Sequence, residues 1–173
     1  MRWIIHDQVY YKKLLIETEN KKGMKTSMDE EVQVQYINFS VGNQICAIRI
    51  DEVHEIIRML PVTTVPFGSP EIKGFTPLYG KVVSVVSVRV LLGMPDEEPT
   101  PSTRIIVVPY HDDYVPLVVD SVDSVVMYDR FEEPTEEYRR YAKGIFKEIA
   151  HNDDHEAGIL NLDVLLGNLT QSH

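Results

Sequence analysis

Three phrases of this chain are stated twice. "IRIDEVHEII" returns as "LVVDSVDSVV", aligning Asp51 with Asp120; "IKG" returns as "AKG", aligning Gly74 with Gly144; "VRVLLG" returns as "LDVLLG", aligning Gly93 with Gly167. The landmarks keep their order at a spacing of about seventy residues, slightly wider at the last pair, where the "HNDDHE" turn takes up extra length. A repeat at fixed period means one structural unit built twice. A sheet that small cannot bury both faces alone, so two units must curl into barrels and pack over a shared core.

Composition sets the class of each unit. From Val32 onward, β-branched and aromatic residues dominate and turn signals come at short intervals, which predicts strands rather than helices. "VQVQYINFSVGNQICAIRI" reads as a hairpin turning at Gly42–Asn43, and "TRIIVVPYHDDYVPLVV" as a second turning at His111 to Asp113. The expected organisation is an N-terminal extension at 1–31, then an all-β domain with short helices at 32–173. Within it lie a first barrel at about 34–93, a proline-rich hinge at 94–103 and a second barrel at about 104–169. "DRFEEPTEEYRR", Asp129 to Arg140, predicts a short connector helix with acids before it and arginines after, matching the helix dipole.

Several function classes are excluded early. A formal charge of −10 opposes binding to nucleic acid, which needs clustered Lys and Arg. No apolar run is long enough to span a bilayer, and the first residues lack the pattern of a signal peptide, so direct membrane insertion is not expected and a cytoplasmic location is. Cys46, the single cysteine, lies in an apolar run and reads as a buried structural thiol. No phosphate-cradling glycine loop or serine elbow is present, so no catalytic residue, cofactor or metal is assigned. The nearest approach to a metal set is "HNDDHE", where His151, Asp153 and His155 would serve a metal-dependent hydrolase; the same residues suit a polar turn, which is the reading adopted. His54 is read as a surface residue.

The order of "QYINFSVGNQICAIRIDEVHEI", "VPFGSPEIKG", "LYGKVVSVVSVRVLLG", "TRIIVVPYHDDYVPLVVDSV" and "GILNLDVLL" resembles the CheW-like adaptor domain of bacterial chemotaxis over Val34 to Leu169. The resemblance implies two SH3-like five-stranded β-barrels packed over a common core. It also implies a non-enzymatic adaptor that couples the cytoplasmic tip of membrane chemoreceptors to the regulatory domain of a histidine kinase, recruited to receptor arrays. The family's "VxEI" motif falls on Val53, Glu55 and Ile56, preceded by Ile50; with Gly74 and Tyr79 these are the receptor-facing residues the resemblance implies. An amphipathic helix laid in a groove suits such a set, although Val53 and Ile56 read equally as core. For the kinase-facing edge of the second barrel the candidates are Val118, Asp120 and Val122.

The chain departs from the family pattern at three places. "PLYG" and "VVSVVSVR" stand where "NLRG" and "VIPVIDLR" are typical, so Tyr79 replaces an arginine and Ser87 a carboxylate, removing two opposite charges. Pro116 stands where glycine is usual and predicts an edge position, because proline withholds an amide donor. These departures support an alternative: a divergent paralogue serving another receptor set or kinase pathway, such as surface motility.

Overall fold

Three two-residue turns create the main hairpins, each where the backbone takes positive φ. Gly42 (φ 59°) opens the turn between β1 (Gln35–Val41) and β2 (Gln44–Arg49). Tyr79 and Gly80 (φ 51° and 78°) join β4 (Ile72–Leu78) to β5 (Lys81–Ser87), and His111 (φ 53°) joins β6 (Arg104–Tyr110) to β7 (Asp113–Val119). Positive φ at the first central residue, and at both in the Tyr79–Gly80 turn, gives a turn twist matching that of the flanking strands. A computed structural model describes residues 33–170, so the N-terminal extension expected at 1–31 lies outside the described residues.

The remaining strands are β3 (Glu55–Arg58), β8 (Ser121–Met127), β9 (Arg130–Glu132), β10 (Phe146–His151) and β11 (Glu156–Leu160). Three short helices punctuate them: α1 (Val88–Leu91), α2 (Glu136–Tyr141) and α3 (Leu162–Thr170). Ser87 caps α1 by accepting from the Val90 amide at 3.4 Å, and Thr135 caps α2 by accepting from the Tyr138 amide at 3.2 Å. The connector helix predicted within Asp129–Arg140 is therefore present, with Glu136 and Glu137 in its first turn and Arg139 and Arg140 in its last. No helix among the described residues is long and apolar enough to cross a membrane.

The strands form two sheets, β8-β1-β2-β11-β10-β9 and β3-β6-β7-β5-β4. Under the repeat, β1 corresponds to β6, β2 to β7, β3 to β8, β4 to β10 and β5 to β11. Substituting each strand by its counterpart converts one order into the other, with β9 added at one edge. Even the single parallel contact recurs, as Gly158↔Cys46 in one sheet and Val86↔Leu117 in the other. The fold is thus two SH3-like barrels of one design.

The barrels do not follow the expected boundaries of 34–93 and 104–169. Each takes its opening hairpin from the other half of the chain: β1–β2 joins the C-terminal strands, and β6–β7 joins β3–β5. Asp120 alone separates β7 from β8, too short a link to reverse the chain, so the strand runs on into the other sheet. The link from β2 to β3 is a 3-10 turn at Ile50–Glu52 whose Ile50 is anchored in the shared core. The recurring Asp51 and Asp120 phrases are these crossovers.

Alternation along the strands sorts the apolar side chains into three clusters. Ile57, Val85, Ile105, Val107 and Val118 fill one barrel, while Tyr36, Ala47, Val126, Tyr128, Ala150 and Ile159 fill the other. The largest cluster draws Ile37, Phe39 and Ile48 from one sheet and Ile56, Ile106 and Leu117 from the other, and is the common core. Cys46 belongs to it, and burial pushes its thiol pKa up, which suits the structural role expected. Pro116 departs from expectation: it is buried in β7, an interior strand of its sheet. Pairing to β5 begins one residue later at Leu117, so Pro116 is paired to Val107 of β6 on one side and has no β5 partner on the other.

Candidate functional site

The "VxEI" phrase lies on the first crossover and the strand after it. Ile50, Val53 and Ile56 enter the common core and are 6%, 8% and 3% exposed, so they offer little surface to a partner. Glu55 has the opposite parity and reaches the open end of its barrel, where the β4–β5 turn brings Tyr79. The Tyr79 hydroxyl donates a hydrogen bond to the Glu55 carboxylate. Burial, then this bond, raises the phenol pKa well above its usual value.

Around that bond the aromatic rings gather. The His54 ring lies 5.4 Å from Tyr79 and 4.4 Å from Tyr114, and the Tyr79 and Tyr114 rings are 5.0 Å apart in an edge-to-face pair. Lys81 and Asp113 close the rim through an ion pair at 2.6 Å. Tyr79 remains 49% exposed, so the cluster presents a phenol edge, an imidazole and a half-covered carboxylate to solvent. Sequence reading found Glu55 and Tyr79 and read His54 as a surface residue, as its exposure shows, but it missed Tyr114 and the clustering of these rings, because no local spacing announces that the starts of β3, β5 and β7 share one barrel end.

Gly74 does something else. Its φ of 148° and its closeness to the chain at Thr63 both require glycine: an added Cβ would lie 2.2 Å from the Thr63 carbonyl oxygen. That approach lets Thr63 and Phe75 exchange two backbone hydrogen bonds at 2.9 Å each, tying the long loop after β3 to β4.

The second candidate set is divided between the barrels. Val118 is buried in the barrel containing β3, whereas Val122 lies on β8 in the other sheet and packs against the common core. Asp120 stands at the crossover between them. Its carboxylate accepts from the Gly42 amide at 2.6 Å and from Arg89 Nη1 at 2.5 Å, pinning the β1–β2 turn to α1. Arg89, only 13% exposed on its side chain, also donates to the Pro95 carbonyl at 3.0 Å and to Glu97 at 2.9 Å, while Lys73 holds Asp96 at 2.7 Å. Asp96 thereby places a carboxylate within 3.3 Å of Ser87, the position where the sequence lacks one. The hinge is strapped to the barrel by these pairs, a role for Arg89 that sequence reading missed.

The "HNDDHE" residues form a turn held by Asn152, whose side chain accepts from the Asp154 and His155 amides at 2.9 and 2.7 Å. Among the described residues no group of three or more His, Cys, Asp or Glu side chains is arranged to hold a metal.

Comparison with known proteins places this arrangement. The family model described as the CheW-like domain matches residues 35–169. The chain is 29% identical to the chemotaxis protein CheW of Helicobacter pylori over 110 residues, 64% of this chain and 66% of that protein. It is 32% identical to a probable chemotaxis protein CheW of Rhizobium etli over 117 residues, 64% of this chain and 76% of the relative. The crystal structure of the scaffolding protein TtCheW from Thermoanaerobacter tengcongensis shares the fold, with a TM-score of 0.68 at 24% identity over 75% of this chain and 90% of that one. Two barrels of one strand order with exchanged hairpins, under a family match that runs from β1 to α3, lead to one conclusion: the chain belongs to the CheW-like domain family.

Proposed function

We propose that the protein is a non-enzymatic adaptor that couples the cytoplasmic tip of a chemoreceptor to the regulatory domain of a histidine kinase, and that it works in the cytoplasm beside membrane receptor arrays. The observation that carries this reading is the family match across residues 35–169, whose relatives are named chemotaxis proteins and scaffolds. The architecture supports it physically. Two similar barrels joined over a rigid core offer several rims at fixed relative positions, which suits a protein that holds two partners at once. Modest contacts of that kind gain strength through simultaneous engagement.

Within that reading, Glu55 and Tyr79 are the receptor-facing residues that reach solvent, backed by Ile50, Val53 and Ile56; Val118, Asp120 and Val122 mark the neighbourhood of a kinase-facing edge. Capture from native cytosol with the full chain as bait, followed by mass spectrometry, tests the reading: a histidine kinase should co-purify. Recovery of unrelated enzymes alone would refute it.

The bond between Tyr79 and Glu55 favours a second reading, that of a specialised paralogue. A neutral phenol occupies the place of the family's arginine, leaving the Glu55 charge without a cation in that position. A paralogue of this kind should bind the kinase domain normally and the standard receptor tip poorly, with Tyr79→Arg restoring the latter.

A further inference from the structure

The two barrels differ at one end. In the barrel that contains β3, Met59, Leu60 and Val62 of the loop after that strand pack over the inner cluster. In the other barrel β8 takes the place of β3, but only Tyr128 and Asp129 separate it from β9, so no such loop is available. Among the described residues Val34 is the one further apolar side chain packed on that cluster. A cleft of about 470 Å³ is left at the mouth.

Aromatic rings line this cleft. Strand register places Phe131 opposite Ala150 and Tyr36 opposite Val126, and both of those partners belong to the inner cluster. Tyr36 and Tyr128, 6% and 8% exposed, form the floor, with their rings edge to face at 5.6 Å. Phe131, 44% exposed, stands as a wall with its ring 6.2 Å from that of Tyr36. The Tyr128 hydroxyl is already committed, donating to the Asn38 side chain at 2.8 Å.

The charge beside the rings is negative. Glu148, opposite Ile159 of the same cluster, brings a partly exposed carboxylate to the cleft and holds no cation among the described residues. The nearby arginines are engaged: Arg49, across from Tyr36, is bound by Asp51 at 2.8 and 3.1 Å, and Arg130 by Asp129 at 3.3 Å. The Tyr36 phenol pKa is raised, first by burial; Arg49 opposes the rise, while Glu148, Glu52 and Asp51 add to it. Unpaired acids occur elsewhere on the surface. Here one stands beside open aromatic rings.

We propose that this mouth binds a small organic cation of the alkylammonium class, its charge set against the Phe131 ring and answered by Glu148. Aromatic rings attract a cation through their quadrupole, and quaternary ammonium groups are recognised in this way. Barrel mouths are frequent ligand sites, and the volume suits a head group with a short chain attached. A metal ion lacks its ligands, since no group of three or more His, Cys, Asp or Glu is so arranged among the described residues. An anion would meet Asp129 and Glu148. Ligand binding here needs neither receptor nor kinase.

The test uses the full chain labelled with nitrogen-15, with choline chloride replacing sodium chloride at constant ionic strength while the backbone amides of Phe131 and Glu148 are followed. Both should shift saturably. The neutral tert-butyl analogue of choline, in which carbon replaces the charged nitrogen, should bind roughly tenfold more weakly. Glu148→Gln should remove most of that preference, whereas Glu98→Gln, in the hinge, should leave it intact. Phe131→Ala should weaken both ligands at an unchanged urea midpoint; if the midpoint falls, Glu148→Gln decides the matter, because it leaves the rings in place. No saturable shift up to about 50 mM choline, well beyond the affinity expected of so few atoms, would overturn the site. Equal binding of the neutral analogue would overturn the assignment to a cation, and an unchanged preference in Glu148→Gln would overturn the role given to that carboxylate. Response to ethylguanidinium alone would transfer the mouth to an arginine side chain and overturn the alkylammonium assignment.

Discussion

Replacing Asp120 by alanine separates two roles for one residue: a pin between the barrels and an exposed contact for a kinase. The carboxylate accepts two charge-assisted hydrogen bonds, from the Gly42 amide at 2.6 Å and Arg89 Nη1 at 2.5 Å. Hydrogen bonds to a charged group contribute about 1.5–3 kcal/mol each. Asp120 is 35% exposed, which places both at the lower end, and Arg89 keeps Glu97 and the Pro95 carbonyl as partners. The expected loss is about 3 kcal/mol. With a urea dependence of about 2 kcal/mol per molar for a protein of this size, the unfolding midpoint should fall by about 1.5 M, and the melting temperature by roughly 6–12 °C. The control is Arg89→Met: the loss from changing both residues should be smaller than the sum of the single losses, because they act through one contact. A midpoint within about 0.3 M of wild type together with lost kinase capture would refute the structural argument and make Asp120 a surface contact.

Three further outcomes are expected. Gly74→Ala should cost about 3 kcal/mol or more, since it forces a side chain into a φ of 148° and against the Thr63 carbonyl; a urea midpoint equal to wild type would contradict the close approach. Glu52 has a pKa raised chiefly by burial, so the folded state holds its proton more tightly than the unfolded chain does, and the stability this contributes in acid is lost as pH rises through the folded value. Glu52→Gln should therefore stabilise the protein at pH 7, with the advantage fading as pH falls below the carboxylate range; an advantage that grows in acid would reverse the assignment. Tyr79→Phe removes the bond to Glu55 but keeps the ring contacts with His54 and Tyr114, so urea stability should change by less than about 1 kcal/mol while the late-titrating phenol of Tyr79 disappears from an alkaline absorbance titration.

The chain's own pattern determined a great deal. Recurrence of the Asp51 and Asp120 phrases, glycine at 42 and the β-branched runs were enough for two barrels of one design, because turn chemistry and side-chain alternation are local properties. The connector helix was legible for the same reason, in its charges from Glu136 to Arg140.

Tertiary structure alone decided which hairpin belongs to which barrel. A repeat has the same landmarks whether each unit keeps its hairpin or trades it, and the deciding fact, that a single Asp120 carries the chain from one sheet into the other, acquires meaning only with the sheets in place. The same holds at the candidate surfaces. Glu55 and Tyr79 could be named from a motif, but their bond, the approach of Tyr114 and the meeting of Tyr36, Phe131 and Glu148 at one barrel mouth arise from strand register between segments far apart in the chain. Asp120 looked like an exposed acid and is a structural tie because Arg89 arrives from another element, a consequence of packing that no local spacing encodes.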